Sequence, residues 1–359
     1  MQRPLIDVHH AVSRRDFLRA AGVAGAGAVL LGACGSDERK GSPTSTPGIA
    51  VDPPPETTTI RLQRSNGPRF APLFLAEQFL PTEGFTDVQY IDSHGAPGSD
   101  ATLQLIAAGE IDIGMPFPPD VTAAADRGDA LVVLAGIHNS AFVLFGNDQV
   151  PTLRDLRGKR IATYGDSAIY IFLAALLAYV GIDVEREVEF VDVKLLDVVG
   201  KALDGAFDAW VAIPPVSTIF RANNIGHVIV DGKVDPPWSQ YFGAMATGNR
   251  DFVENNPAAT KRALRAILKA TDVCAREPER AARYLVDKGY SLPANYESTL
   301  DGITGVSYTA WREFDPEDTM RFYALRLRDA GLVKSTPDQL IARATDWRYL
   351  NEIKRELGV

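Results

Sequence analysis

Cysteine is nearly absent from this chain: 359 residues hold only Cys34 and Cys274. Two cysteines cannot build the disulfide framework that staples small exported folds, so stability must come from a buried core. Histidine is scarce as well. His9, His10, His94, His138 and His227 are too scattered for metal-ligand spacing. There is no Gly-x-Ser-x-Gly, no His-Glu-x-x-His and no phosphate loop. No catalytic constellation can be assembled from these residues, so the sequence predicts no enzyme, no metal and no cofactor. An excess of positive charge is also missing. Lys and Arg number 37 against 46 Asp and Glu, a net charge of −9. That argues against nucleic acid as a partner, which calls for a basic face. It leaves room for a small ligand in a locally positive pocket. Nor is the apolar run at residues 20–33, "AAGVAGAGAVLLGA", long enough to span a bilayer. It has 14 residues, where a spanning helix takes about 20.

That run has the length of a signal-peptide core. "SRRDFL" precedes it, with Arg14 and Arg15 paired and Arg19 close behind. An arginine pair before a moderately apolar core is the twin-arginine export signature. The run ends in "LGAC", which resembles the lipobox of bacterial lipoproteins, in which the signal is cut before the cysteine and the thiol is acylated. The resemblance makes Cys34 the lipidated first residue of an exported, membrane-anchored chain facing the periplasm or the cell exterior. Residues 1–33 are then the signal. With Cys34 acylated no intrachain disulfide remains, and Cys274, in the helical pattern "ATDVCAREPE", is expected to be a packing residue. Residues 34–58, rich in Pro, Gly, Ser and Thr, read as a flexible tether.

Beyond the tether, short strands alternate with helices of about ten residues. "TTIRLQR", "TDVQYI", "EIDIGM" and "ALVVLAGI" read as strands. "APLFLAEQFL", "SDATLQLIAAG" and "PDVTAAADRG" read as the helices between them. A second such cycle starts near residue 150, and from about 249 the chain is almost wholly helical. This alternation predicts an α/β fold with largely parallel sheets.

Several stretches resemble the solute-binding proteins of bacterial ABC importers, in the nitrate, sulfonate, taurine and thiamine-pyrimidine-precursor branch. They are "APLFLAEQF", "LQLIAAGEIDIGM", "VLAGIH", "LRDLRGKRIATYGDSAIYIFLAALLAYVGID", "ALDGAFDAWV" and "RDFVENNPAATKRALRAILKAT", in family order over residues 59–285. The resemblance implies a two-lobed periplasmic-binding-protein fold of type II, each lobe a mostly parallel sheet flanked by helices, with a helical C-terminal segment. Lobe one would hold residues 59–147 and 241–359, and lobe two residues 148–240, with hinges near 146–148 and 240–243. A monomer would close on a small organic or oxyanion solute and deliver it to an ABC permease and its ATPase subunits. Two other roles are open: a lipoprotein that senses a ligand for a membrane signalling partner, and an enzyme like the fungal synthase of the thiamine pyrimidine. The synthase uses a cysteine-rich iron-binding motif that this chain lacks.

In such sheets the ligand lies beyond the carboxyl ends of the strands. The loops there nominate Asn66, Arg69 and Phe70 in "RSNGPRFAP", and Phe117 in "PFPPD". They also nominate Asn139 and Ser140 in "HNSA", Asp166, Ser167 and Tyr170 in "GDSAIY", and Trp210 in "DAWV". Arg69 would pair with an anion. Asp166 and Ser167 would cap a helix whose free N–H groups face the ligand, Ser167 being the position at which the family uses a small hydroxyl residue. The aromatic residues would stack on a flat solute. His138 reads as a structural residue. After "DAW" the family often carries an acidic or aromatic residue before a proline; here Ile213 stands there, and the missing carboxylate disfavours a cationic ligand.

Overall fold

The computed structural model describes residues 52–65, 67–92, 101–163, 168–194, 197–291 and 295–359. Strands β1 (Thr59–Arg64), β2 (Asp87–Asp92), β3 (Ile113–Gly114) and β4 (Leu131–Asn139) come first, with helices α1 (Ala71–Leu75), α2 (Ala101–Ala107) and α3 (Pro118–Arg127) between them. Then follow β5 (Val143–Gly146), β6 (Arg160–Thr163), β7 (Glu189–Asp192), β8 (Ala209–Ala212) and β9 (His227–Asp231), with α4 (Ala168–Tyr179), α5 (Val198–Leu203) and α6 (Val216–Ala222). After β10 (Phe242–Asn249) the chain is helical: α7 (Arg250–Asn255), α8 (Pro257–Arg276), α9 (Pro278–Asp287), α10 (Tyr296–Thr304), α11 (Ala310–Glu313), α12 (Pro316–Asp329), α13 (Pro337–Ala344) and α14 (Arg348–Leu357). Helices α3, α8, α9, α12 and α13 each begin at a proline, which loses no hydrogen bond in the first turn.

The strands form two five-stranded sheets with the same topology, ordered β2-β1-β3-β10-β4 and β7-β6-β8-β5-β9. In each, the fourth strand is antiparallel and comes from the other half of the chain. The halves also repeat a clasp. Arg61 in β1 binds Asp112, just before β3, through its backbone N–H at 2.7 Å and its guanidinium. Arg160 in β6 binds Asp208, just before β8, in the same way, with the backbone bond at 3.0 Å. Each aspartate follows a glycine with positive φ three residues earlier, Gly109 or Gly205, where the chain turns out of a helix. Burial alone would raise the Asp208 carboxyl, but Arg160 and its backbone N–H more than offset it, so the group is held low.

The sheet memberships correct two expected boundaries. β5 pairs with β8 and β9, so the chain passes to the second sheet at residues 140–142, not at 147. The reason is that "FVLFG" completes the second sheet as its antiparallel strand. The return lies between β9 and β10, at residues 232–241. The tether also ends sooner than residue 58. Asp52 is bound by Lys261 at 2.7 Å and by Arg265 at 2.5 Å, and the Glu56 carboxylate accepts from the N–H groups of Ala258 and Ala259 at the start of α8. An acidic side chain at a helix N-terminus is favoured by the free N–H groups and the dipole. The signal peptide, the acylated Cys34 and the rest of the tether lie outside the described residues.

One apolar core runs from the first sheet through α8 and α12 to α4. A smaller one, built on Phe145, Phe207, Trp210 and Phe220, lies against the second sheet. Cys274 is buried in the larger core as a free thiol, pushed up by burial, and packs as a small residue.

Candidate functional site

Four segments meet beyond the carboxyl end of the first sheet. Arg69 and Phe70 lie in a single helical turn after β1, and Phe117 caps the start of α3 after β3. His138 ends β4 with Asn139, and Tyr308 comes from the loop after α10. The Arg69 guanidinium lies over the Phe70 and Phe117 rings, its Cζ 3.9 Å from each centroid. Tyr308 donates its hydroxyl to the Arg69 carbonyl at 3.0 Å and sets its ring edge-on to His138, the centroids 5.5 Å apart.

The charge of this group is unusual. Arg69 is only 5% exposed, and its Nε and Nη1 have no hydrogen-bond partner among the described residues. Burial pushes it down to about 9, opposed by Tyr308 and by Asp120 in the first turn of α3. It is therefore still a cation at neutral pH. His138 is fully buried. Its Nδ1 lies 2.7 Å from the Asn139 carbonyl oxygen, and its Nε2 has no partner among the described residues. Burial first, and the Arg69 charge second, push it down to about 3, so the ring is neutral. A buried cation with free donors and a buried neutral imidazole with a free nitrogen thus stand around one tyrosine.

Of the nominated residues, the structure brings together Arg69, Phe70 and Phe117. Others have different work. The Asn139 carboxamide donates to the Lys233 carbonyl at 3.2 Å and accepts from the Ser307 N–H at 2.7 Å, so it ties three segments where the chain crosses between sheets. Ser140 is buried beside it, and Gly232 passes so close that a Cβ there would lie 2.4 Å from Ser140 Oγ. Within the chain Asn139 and Ser140 thus fasten this crossing, work that the sequence did not reveal. Trp210, also nominated, is enclosed by other aromatic residues. Its ring stacks on Phe145 and packs against Phe207 and Phe220 in the smaller core, with its tip at Gly226, before β9 begins. Tyr170 turns to Phe190 of β7, 5.0 Å between centroids, rather than to the Arg69 group. It is Phe172, two residues on, that stacks on Phe142 at 4.3 Å and through it reaches Phe117 at 4.8 Å. Asn66, Asp166 and Ser167 lie outside the described residues. Ile213 is half-buried. Sequence reasoning missed Phe142, whose apolar run reads only as strand, and Tyr308, which lies where the resemblance is loose.

A model of the family described as NMT1/THI5 like matches residues 68–281. The chain belongs to that family. Its fold is that of periplasmic binding proteins. The nitrate-binding protein NrtA of Synechocystis PCC 6803 superposes with a TM-score of 0.65 at 17% identity, over 84% of this chain and 90% of NrtA. The alkanesulfonate-binding protein SsuA of Xanthomonas axonopodis pv. citri, bound to MOPS, gives 0.58 at 18%, over 83% and 100%. By sequence the chain is 24% identical, over 247 residues, to the 4-amino-5-hydroxymethyl-2-methylpyrimidine phosphate synthase THI5 of Saccharomyces cerevisiae, covering 64% of this chain and 70% of THI5. Among the described residues no group of three or more His, Cys, Asp or Glu side chains is placed to hold a metal ion. No described helix is long and apolar enough to cross a membrane.

Proposed function

We propose that the protein is the solute-binding component of an ABC importer and that it captures a small organic anion at the carboxyl edge of the first sheet. The observation that carries this reading is Arg69: a buried cation with two N–H groups left without partners, held over two phenyl rings. Such a group is costly unless something anionic completes it. The rings suit an organic solute better than a bare oxyanion, because they offer apolar surface beside the charge. That MOPS, an organic sulfonate, occupies the Xanthomonas protein supports the same solute class. The two sheets would be the cores of two lobes, joined at residues 140–142 and 232–241, and the solute would draw them together. Export and an acylated Cys34 fit this role, since a tethered receptor stays concentrated near its permease. The kinship with THI5 favours a second reading, in which the solute is a phosphorylated pyrimidine.

The test is calorimetric titration of the full-length chain with MOPS, benzenesulfonate, 4-hydroxybenzenesulfonate, nitrate and 4-amino-5-hydroxymethyl-2-methylpyrimidine phosphate. At least one organic anion should bind, and Arg69→Met should weaken it by about tenfold or more, about 1.4 kcal/mol. Anion binding that survives Arg69→Met unchanged would overturn the assignment of Arg69.

A further inference from the structure

We infer that the solute carries a hydrogen-bond donor, an O–H or N–H, on the same molecule as its anionic group, and that His138 Nε2 is the acceptor that selects for it. The inference rests on the anion site just proposed and adds a second recognition element to it. It starts from the Nδ1 of His138, 2.7 Å from the carbonyl oxygen of Asn139. A carbonyl oxygen only accepts, so Nδ1 must carry a proton. A neutral imidazole has one such proton, and Nε2 is then a bare lone pair. The ring is neutral because it is fully buried and faces the Arg69 charge.

No donor among the described residues reaches that lone pair. The nearest ring, Tyr308, has spent its hydroxyl proton on the Arg69 carbonyl. Arg69 Nε and Nη1, also buried without partners among the described residues, are donors only. The site therefore presents donors at Arg69 and an acceptor at His138. A solute with an anion alone would leave His138 Nε2 buried and unpaired. Sites built to pair with a substrate hydroxyl or amine discriminate strongly against analogues that lack it, for this reason. A neutral donor suffices: an acceptor lone pair needs no full charge opposite it, and no acidic residue stands at Ile213 to hold a cation.

Matched pairs test this on the full-length chain: isethionate against ethanesulfonate, and 4-hydroxybenzenesulfonate against benzenesulfonate, by calorimetric titration. The hydroxyl-bearing member of at least one pair should bind at least about tenfold more tightly, about 1.4 kcal/mol. His138→Phe should abolish that preference, so that the two members of the pair bind alike. Equal affinities within both pairs, or a preference that persists in folded His138→Phe, would overturn the inference and leave the anion site standing. If no member of either pair binds and MOPS and the pyrimidine phosphate fail as well, the anion reading itself fails and takes this one with it; if one of those two binds, equal binding of it by folded His138→Phe overturns this inference alone. Should His138→Phe not fold, nitrogen-15 NMR of the wild-type imidazole decides: a proton on Nδ1 is expected, and a proton on Nε2 in the ligand-free protein overturns the inference.

Discussion

Replacing Arg69 with methionine and Asp120 with asparagine together should make the ligand-free protein more stable and blind to organic anions. Burial takes Arg69 from its ordinary, strongly basic range down to about 9, a drop worth about 5 kcal/mol at about 1.4 kcal/mol for each tenfold. The sign follows from the direction. A base with a depressed folded pKa resists folding at every pH below that value, and the cost is relieved only as pH climbs from about 9 towards the ordinary arginine range. At neutral pH it is present in full. The contacts with Phe70 and Phe117 return part of it, about 0.5–2 kcal/mol each. Asp120 must change as well, because it is itself only 5% exposed and its charge supports the Arg69 cation. Removing only one of two interacting buried charges is the destabilising move, whereas replacing both with side chains of similar volume often adds about 1–4 kcal/mol. In a chain of this size each kcal/mol raises Tm by about 2 °C. Urea denaturation at neutral pH reads the stability, and titration with 4-hydroxybenzenesulfonate reads the binding. A double variant less stable than the parent, or one that binds the probe as the parent does, would refute the idea that stability has been given up here for anion recognition.

Three further outcomes are expected. His138 is pushed from 6.5 to about 3, so its neutral ring costs stability as pH falls below about 6.5, reaching about 2 kcal/mol near pH 5. Urea titrations at about pH 7.5 and about pH 5 should show that loss in the wild type and a smaller one in His138→Gln; equal losses would remove His138 as the cause. Trp210→Ala should cost about 3–5 kcal/mol by opening the smaller core and leave anion affinity in the folded fraction unchanged, and altered affinity would return Trp210 to the site. Gly136→Ala would put a methyl group 2.3 Å from the Phe242 ring and should cost about 1–3 kcal/mol, measured as a fall in the urea midpoint; a stability within error of the wild type would show that this ring moves freely.

The fold was legible because its signals are local. Strand runs such as "ALVVLAGI", helix stops at Gly109 and Gly128, and prolines at helix starts each act within a few residues. Arg69, Phe70 and Phe117 were legible for a related reason: a loop after a parallel strand lies at the carboxyl edge whatever the rest of the chain does. Asn139 was not, because its partners Lys233 and Ser307 lie 94 and 168 positions away, and no local pattern reports them. The surroundings of Trp210 were hidden by a question of facing. "DAWVAI" is apolar on both sides, so periodicity could not say whether the indole meets solute or core. The aromatic partners of Tyr170 and Phe172 were hidden for the same reason. In the nearly uniform apolar run "AIYIFLAALLAY", the face of α4 that turns to Phe142 is set by packing alone.

The repeated topology also explains where the function can sit. Both sheets fix the start of their third strand with the same Arg–Asp clasp, Arg61 to Asp112 and Arg160 to Asp208, each with a backbone bond and a guanidinium bond to one carboxylate. Every acceptor and donor counted there is engaged within the chain, so that end has little left to offer a ligand. The opposite, carboxyl edge is built from connections whose lengths and residues differ between the halves, and the first sheet concentrates its partnerless polar atoms there. Among the described residues Trp210 Nε1, Arg326 Nε and Trp347 Nε1 are also without partners, but each lies in a different part of the fold. Arg69 and His138 instead share Tyr308. Isolated deficits of this kind are tolerated at about 1–3 kcal/mol apiece. Three such atoms at the carboxyl edge of one sheet, two donors on Arg69 and one acceptor on His138, define a complement with the opposite pattern. That is a more specific demand on the solute than either sheet could make with its clasped end.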